Sequence, residues 1–349
     1  MKQTKSILVI VLALAVGNTA RAQEFGRVFE GGIQDAEAYF QEYTKPLMLS
    51  FNNGLGSGWY NTAKPHKLLG FDLTMTLNVA NIPSDDRQFV FDPSKYSNIE
   101  VIGSNNTLPT AVGGETNIQL RAVPGRTISN GSQSITYTDE EIFDAPDGFD
   151  VEDLPVVGFP VPALQLGIGL PKNTDLKIRY ASDFGTIEDG SFNIFGIGVM
   201  HDLKQWVPGL KQSPFDFSGF IGFTTLSADF GIQDGSASDE YQADGSVEMK
   251  VSSLTIQGVV SKKIAIFTPY AGIGYNVSGS SFDVLGNFTY RQNGEVVTFV
   301  DPLSLEFDGG SSPRINLGMR IKLLVLTLHA EYAIQKYNVF TLGAGLSIR

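Results

Sequence analysis

The sequence predicts an all-β chain: a transmembrane antiparallel β-barrel of about 10–14 strands, with a short N-terminal helix in or capping its lumen. Three observations predict it. From Leu68 onward the apolar residues recur with a period of two, strand after strand. The opposite face carries mainly Gly, Ser, Thr, Asn and Gln with few charges, in a chain with 38 glycines and only 18% charged residues. A soluble sandwich would place a charge-rich face outward, whereas a lipid-facing apolar band around a polar lumen gives the pattern seen here. Third, the connections between strands alternate between tight and long.

The elements follow in chain order. A basic Met1–Lys5, an apolar run Ile7–Val16 and the small-x-small Ala20-Arg21-Ala22 read as a cleaved secretory signal peptide over residues 1–22. An apolar run of ten residues is too short to span a bilayer as a helix, and no later run reaches eighteen. Removing Lys2, Lys5 and Arg21 leaves 22 basic and 37 acidic residues, a net charge of −15, which argues against a nucleic-acid partner. With no cysteine, disulfides, thiol chemistry and a lipoprotein anchor are excluded. No cofactor or metal is expected.

Residues 23–67 read as a helical plug segment. Within Ile33–Met48, Ile33, Ala36, Tyr39, Phe40 and Tyr43 share one helical face, and Pro46 is expected to end the helix or follow its end. Then comes "GWYNTAKPHK", Gly58 to Lys67, just before the first strand. Trp59, Tyr60, Lys64, His66 and Lys67 are expected to form a hinge between plug and barrel. Their place is the periplasmic rim, where aromatic rings and lysines suit lipid headgroups.

The barrel is expected over residues 68–349. Ten strands are placed near 68–80, 160–170, 175–184, 192–202, 215–228, 247–260, 264–279, 312–321, 325–335 and 339–348. Tight connections at 171–174, 261–263 and 322–324 belong to the periplasmic side. Longer ones at 81–159, 185–191, 229–246 and 280–311 belong outside. Two connections break the rule: 203–214 is a long periplasmic turn, and 336–338 is a short external one. The stretches "RQFVF", "TNIQLRA" and "SITYT" within 81–159 leave room for 12 or 14 strands.

The signal peptide, the Gly-Trp-Tyr-Asn-Thr-Ala-Lys-Pro-His-Lys stretch and the strand-rich remainder resemble an uncharacterised family of outer-membrane barrels from the Bacteroidota. A helix ahead of a barrel is also loosely similar to long-chain fatty-acid transporters, whose N-terminus plugs the lumen. The resemblance implies a fold and a location, the outer membrane of a Gram-negative bacterium. The chain departs from the usual assembly signal, ending in Ile348-Arg349 and not in an aromatic residue.

Four Gly-x-Gly units, at Gly167, Gly196, Gly272 and Gly343, lack the third glycine and the helix of a phosphate loop. Glycines two apart share one face of a strand, so they are expected to let the N-terminal segment approach the wall. The lumen face gathers Asp72, Lys177, Arg179, Arg314, Arg320, Lys322, His329 and Glu331. Either this wall binds an anionic solute, or its charges form an internal ion-pair network, involving the acidic helix, that packs the barrel. A hairpin turn at 322–324 would pair Gly318 with His329 and Asn316 with Glu331. The same register sets Gly345 opposite His329, with Ser347 one strand away. No signature marks a nucleophile, so the chain is not expected to be an enzyme; a hydrolase built on Ser347 and His329 is a minor alternative. His201 is expected at the membrane interface. The acidic stretches 139–153 and 229–245 read as solvated external loops, with calcium binding as the weaker reading.

The leading expectation is passive passage or binding of small molecules, hydrophobic or anionic. The alternative is a non-conducting structural or surface-interaction barrel. Outer-membrane lipids and the barrel-assembly machinery are the expected partners.

Overall fold

The computed structural model describes residues 26–151, 158–182, 190–233 and 241–348. The expected signal peptide lies outside them. Ten strands form the ring: β1 (Phe71–Ala80), β2 (Phe159–Leu170), β3 (Thr174–Ser182), β4 (Gly190–Asp202), β5 (Asp216–Gln233), β6 (Tyr241–Ser261), β7 (Phe267–Gln292), β8 (Leu303–Leu323), β9 (Leu326–Ile334) and β10 (Val339–Ile348). Each pairs antiparallel with the next, and β10 pairs back onto β1, from Phe71 opposite Ile348 to Ala80 opposite Val339. No edge is left open in the ring, as a wall in lipid requires, since every backbone donor must be satisfied there.

Side chains alternate as expected. On β1, Leu73 and Met75 face outward and exposed, while Asp72, Thr74 and Thr76 are buried. On β8, Ile315, Leu317 and Met319 face outward, and Arg314, Asn316 and Arg320 are buried. The first strand starts at Phe71 and not Leu68, because Leu69 turns with φ 63° and Gly70 N–H closes onto the Lys67 carbonyl at 2.8 Å.

One end of the ring carries the tight connections and both chain-terminal strand ends. Lys172 and Asn173 (φ 60° and 51°) turn β2 into β3, and Leu324 (φ 55°) turns β8 into β9. The opposite end differs from expectation. Much of 280–311 is strand: β7 runs to Gln292, a hairpin returns through Glu295–Val300, and β8 begins at Leu303. Strands β5 to β8 hold 18, 21, 26 and 21 residues. A tilted membrane strand needs only about 9–11.

Those extensions are legible from an inversion of the pattern. On β6, Ile256 faces out and Thr255 and Ser253 face in; further along, Lys250 faces out while Val251 and Met249 are buried. On β7, Tyr275 and Val277 face out and Asn276 in, but beyond the level of Gly279 the buried side chains are Phe282, Val284 and Phe288. On β8 the switch coincides with a bulge at Gly309, the residue skipped where Gly279 pairs with Asp308 and Ser278 with Gly310. Below this level the wall is apolar outside and mainly polar inside, apart from Met200, Phe220, Val259 and Tyr270; above it the wall is built like a soluble protein.

The described residues of 81–158 add no barrel strands. Their strand-like stretches form three small sheets instead: 88–90 with 107–109; 99–101, 119–122 and 141–144; and 127–129 with 134–136. Their apolar faces (Ile99, Leu108, Leu120, Phe143) join one core with the inward face of the strand extensions and with the N-terminal helix. They form a cap over the long end. Strands of three or four residues are too short to cross a bilayer.

The helix α1 spans Ile33–Leu55, longer than expected, with Pro46 inside it. Buried hydroxyls and amides bond back to carbonyls one turn earlier: Thr44 to Phe40 at 2.7 Å, Ser50 to Pro46 at 2.7 Å and Asn53 to Leu49 at 2.7 Å. Such bonds satisfy polar side chains on a helix enclosed by protein, where tertiary packing outweighs the cost of a proline. No described helix is long and apolar enough to cross a membrane.

Candidate functional site: the plugged lumen

The helix starts beneath the cap and ends inside the ring. Its acidic N-terminal half does not pair with the lumen arginines, as the sequence suggested. Buried Asp35 instead accepts backbone N–H groups of Ser97, Asn98 and Ile99 at 2.8–3.2 Å, and Glu42 pairs with Lys95 at 3.0 Å. Helix and cap are therefore one unit.

The lumen arginines take the other end of the helix. Arg179 on β3 donates to the carbonyls of Leu55 and Ser57, each at 2.9 Å, and its guanidinium lies 4.0 Å over the Trp59 ring. Arg314 on β8 donates to Ser57 Oγ at 2.8 Å, to Gln335 at 3.0 Å and to Glu331 at 3.0 Å. The last carbonyls of a helix carry partial negative charge, which a guanidinium complements. No carboxylate lies within ion-pair distance of Arg179 among the described residues, so the helix end and the indole face replace one.

Below the helix the chain descends along the lumen. The Gly56 carbonyl accepts from Thr255 at 3.1 Å, and the Trp59 carbonyl from Gln165 at 3.0 Å. The Tyr60 hydroxyl lies 2.8 Å from Gln257 and 3.0 Å from Asn316. Ala63 N–H donates to Ser261 at 2.9 Å, and Ser218 donates to the Ala63 carbonyl at 2.5 Å. The partners come from β2, β3, β5, β6 and β8, so the plug is tied around the ring.

Trp59 and Tyr60 were expected at the lipid interface; both are buried in the lumen instead. The reason is the wall. A Cβ on Gly196 or Gly198 would press on the Trp59 ring, and one on Gly272 would overlap the Tyr60 hydroxyl. Gly169, Gly196, Gly198 and Gly272 thus admit the N-terminal segment, whereas Gly343 and Gly167 make room for His329 and Asp72, and Gly274 and Gly345 meet neighbouring strands of the wall. Lys64 and Lys67 are exposed. His66 between them is buried, with Nδ1 2.9 Å from Asp175 Oδ2 and its backbone N–H 2.7 Å from Asp175 Oδ1. Sequence reasoning missed Asp175, although it shares the lumen parity of Lys177 and Arg179.

The eight predicted lumen residues all face inward, seven of them buried and Lys322 half-buried. They fall into two groups. Arg179, Arg314 and Glu331 hold the helix end. Asp72, Lys177, Arg320, Lys322 and His329 lie nearer the tight-turn end, around His66. The expected strand register is off by two residues: Arg320 opposes His329 and Gly318 opposes Glu331. The two-residue turn Leu324-Val325 sets Leu323 against Leu326, which preserves the faces and moves the partners. His329 consequently opposes Gly343, not Gly345, and Ser347 is not its partner. His201 sits at the tight-turn end of β4, 2.8 Å from Thr174 and accepting from Trp206 at 2.7 Å.

The acidic stretch from Asp139 is not a free loop as far as Val151, where its described part ends. Glu141 pairs with Arg27 at 2.8 Å, and Asp147 accepts from Thr116 N–H at 2.7 Å. The second acidic stretch lies partly outside the described residues.

Residues 1–348 match the profile of a family of unknown function, DUF6588. The chain belongs to that family. No curated protein matches it. Among solved structures, the translocator domain of the autotransporter NalP from Neisseria meningitidis aligns over 90% of this chain and 98% of its own, with 8% identity and a TM-score of 0.29. The attachment invasion locus protein Ail of Yersinia pestis aligns over 80% and 98%, with 9% identity and a TM-score of 0.23. A Pseudomonas aeruginosa FadL homologue aligns over 80% and 91%, with 9% identity and a TM-score of 0.21. These superpositions are loose, and the barrel assignment rests on the strand pairing of this family member itself.

Proposed function

We propose that this member of the DUF6588 family is an outer-membrane barrel closed by its own N-terminal segment. Its tight turns face the periplasm and its cap faces outward. The observation that carries this reading is the position of Ser57. In a ring of ten strands β3 and β8 are five apart, so Arg179 and Arg314 reach Ser57 from opposite walls. An open channel has no room at that level. The resting protein does not conduct, and its contacts with other molecules are made by the cap and the two ends. Lipids cover the apolar band, and the barrel-assembly machinery inserts it.

The test is conductance of the full chain in planar bilayers. The expected record is flat; a steady ohmic conductance overturns the reading.

A second reading, gated passage of a small hydrophobic or anionic solute, is favoured by one feature. Between Leu55 and Ala63 the plug is held in part by hydrogen bonds to its backbone carbonyls, which water can replace. Because the chain lacks cysteine, Gly56→Cys with Ser253→Cys can lock plug to wall. Solute uptake by vesicles that stops on oxidation and returns on reduction would establish gating.

A further inference from the structure

Three side chains far apart in the sequence meet at the tight-turn end of the lumen: Ser347 on β10, His66 on the plug and Asp175 on β3. Asp175 accepts from the His66 backbone N–H at 2.7 Å and lies 2.9 Å from Nδ1. A carboxylate at Nδ1 holds the proton on that nitrogen, so Nε2 presents its lone pair. Nε2 faces Ser347 Oγ at 3.5 Å. Ser347 Oγ accepts from Lys322 at 3.3 Å and from Arg320 at 3.4 Å. An oxygen accepting from two cations turns its own proton to an acceptor, and among the described residues the one within hydrogen-bond reach is His66 Nε2. Asp72 Oδ1 lies 4.0 Å from Nε2, placed to stabilise an imidazolium.

From this geometry we infer that Ser347, His66 and Asp175 form a nucleophile–base–orienter triad that hydrolyses small carboxylic esters entering from the tight-turn end. Ser347 Oγ bonds to the acyl carbon as its proton passes to His66 Nε2. The bond to the alcohol oxygen then breaks, and His66 returns the proton to that leaving group. Water attacks the acyl-serine and gives a proton to Nε2; the acid departs and Oγ is reprotonated. Lys322 and Arg320 hold the negative charge that develops on the carbonyl oxygen. Apo contacts in such sites are often long and tighten on substrate. Ser347 is buried, but Lys322 beside it is half-buried and Lys67, Leu68 and Leu69 next to His66 are exposed, so the ester reaches Oγ as the Lys322 ammonium swings from Oγ onto the substrate carbonyl. The reading does not depend on whether the barrel conducts.

The experiment treats the full chain, folded in detergent, with a fluorophosphonate, and follows 4-nitrophenyl acetate hydrolysis in parallel. One adduct on Ser347 is expected, and none in Ser347→Ala. His66→Gln is expected to lower kcat roughly 10²–10⁴-fold, the range for a general base. Asp175→Asn, at a positioning residue, should lower kcat with KM kept. Heat-modifiable gel mobility reports folding of each variant. Should His66→Gln not fold, Ser347→Cys replaces it: its thiol should alkylate at neutral pH faster than that of Thr327→Cys, another buried lumen position. A folded wild type without an adduct, an adduct on a different serine, undiminished labelling of folded His66→Gln, or equal alkylation rates overturns the inference.

Discussion

Arg179 and Arg314 stand on strands opposite one another in the ring, and both bind Ser57, one through its carbonyl and the other through its hydroxyl. The contact joins two walls through the plug. It also places two cations at one level of a lumen, with Glu331 bound to only one of them.

Replacing Arg179 by Ala removes its two bonds to the helix end and the cover over Trp59. Hydrogen bonds involving a charged partner contribute about 1.5–3 kcal/mol each. The expected loss is on the order of 3 kcal/mol in urea unfolding from detergent, together with brief conductance bursts absent from the wild type. Arg179→Lys recovers part of the stability, since an ammonium cannot span both carbonyls and stack on the indole.

Trp59 fills a groove floored by Gly196 and Gly198. Trp59→Ala should cost roughly 3–5 kcal/mol, as for other buried large-to-small changes. Gly198→Val attacks the same contact from the wall and should destabilise by about 1–3 kcal/mol through overpacking. Thermal unfolding monitored by circular dichroism checks both.

Asp35 couples helix and cap. Asp35→Ala leaves three backbone N–H groups of residues 97–99 without their acceptor, at about 1–3 kcal/mol per buried unpaired group. Hydrogen exchange at Ser97, Asn98 and Ile99 should rise well above that of strands β1 and β10. Unchanged protection would mean that apolar packing alone holds the cap.

Glu30 gives the cap a pH dependence. Burial, reinforced by a hydrogen bond and charge repulsion from Glu141, pushes its carboxyl up to about 9, against the pull of Arg27 and Arg126. Between its ordinary value of 4.5 and about 9, the folded state holds a proton that the unfolded state has lost. Stability of this region therefore falls as pH rises through that window. Limited proteolysis within 81–158 should be faster at pH 9 than at pH 5, and Glu30→Gln should flatten the difference.

The inversion level on β6–β8 predicts where lipid ends. Leu317→Lys lies below it and should cost about 2–4 kcal/mol near mid-membrane. Ser281→Lys lies above it and should be nearly neutral. Equal effects in lipid-vesicle unfolding would remove the proposed boundary.

The ten strands, their inward and outward faces and the existence of an N-terminal plug were all legible, because a period of two and a helical face are local properties of a chain. Asp72, Arg179 and Glu331 were placed inside on that basis. The pairing expected for His329 differs from the structure by two residues because a shift of two leaves every face unchanged, and only the turn at Leu324 sets it. The strand extensions looked like loops because their apolar residues switch sides at Gly279 and Gly309.

What the sequence by itself determined is therefore the barrel and, within its lipid-facing part, the side of the wall on which each strand residue lies. What only the tertiary structure decided is which residues meet: Trp59 in the glycine groove, the two arginines on Ser57, and His66 between Asp175 and Ser347. Periodicity is carried by neighbours along the chain. Contacts across a ring depend on register and on the path of the plug, which no stretch of the sequence fixes alone.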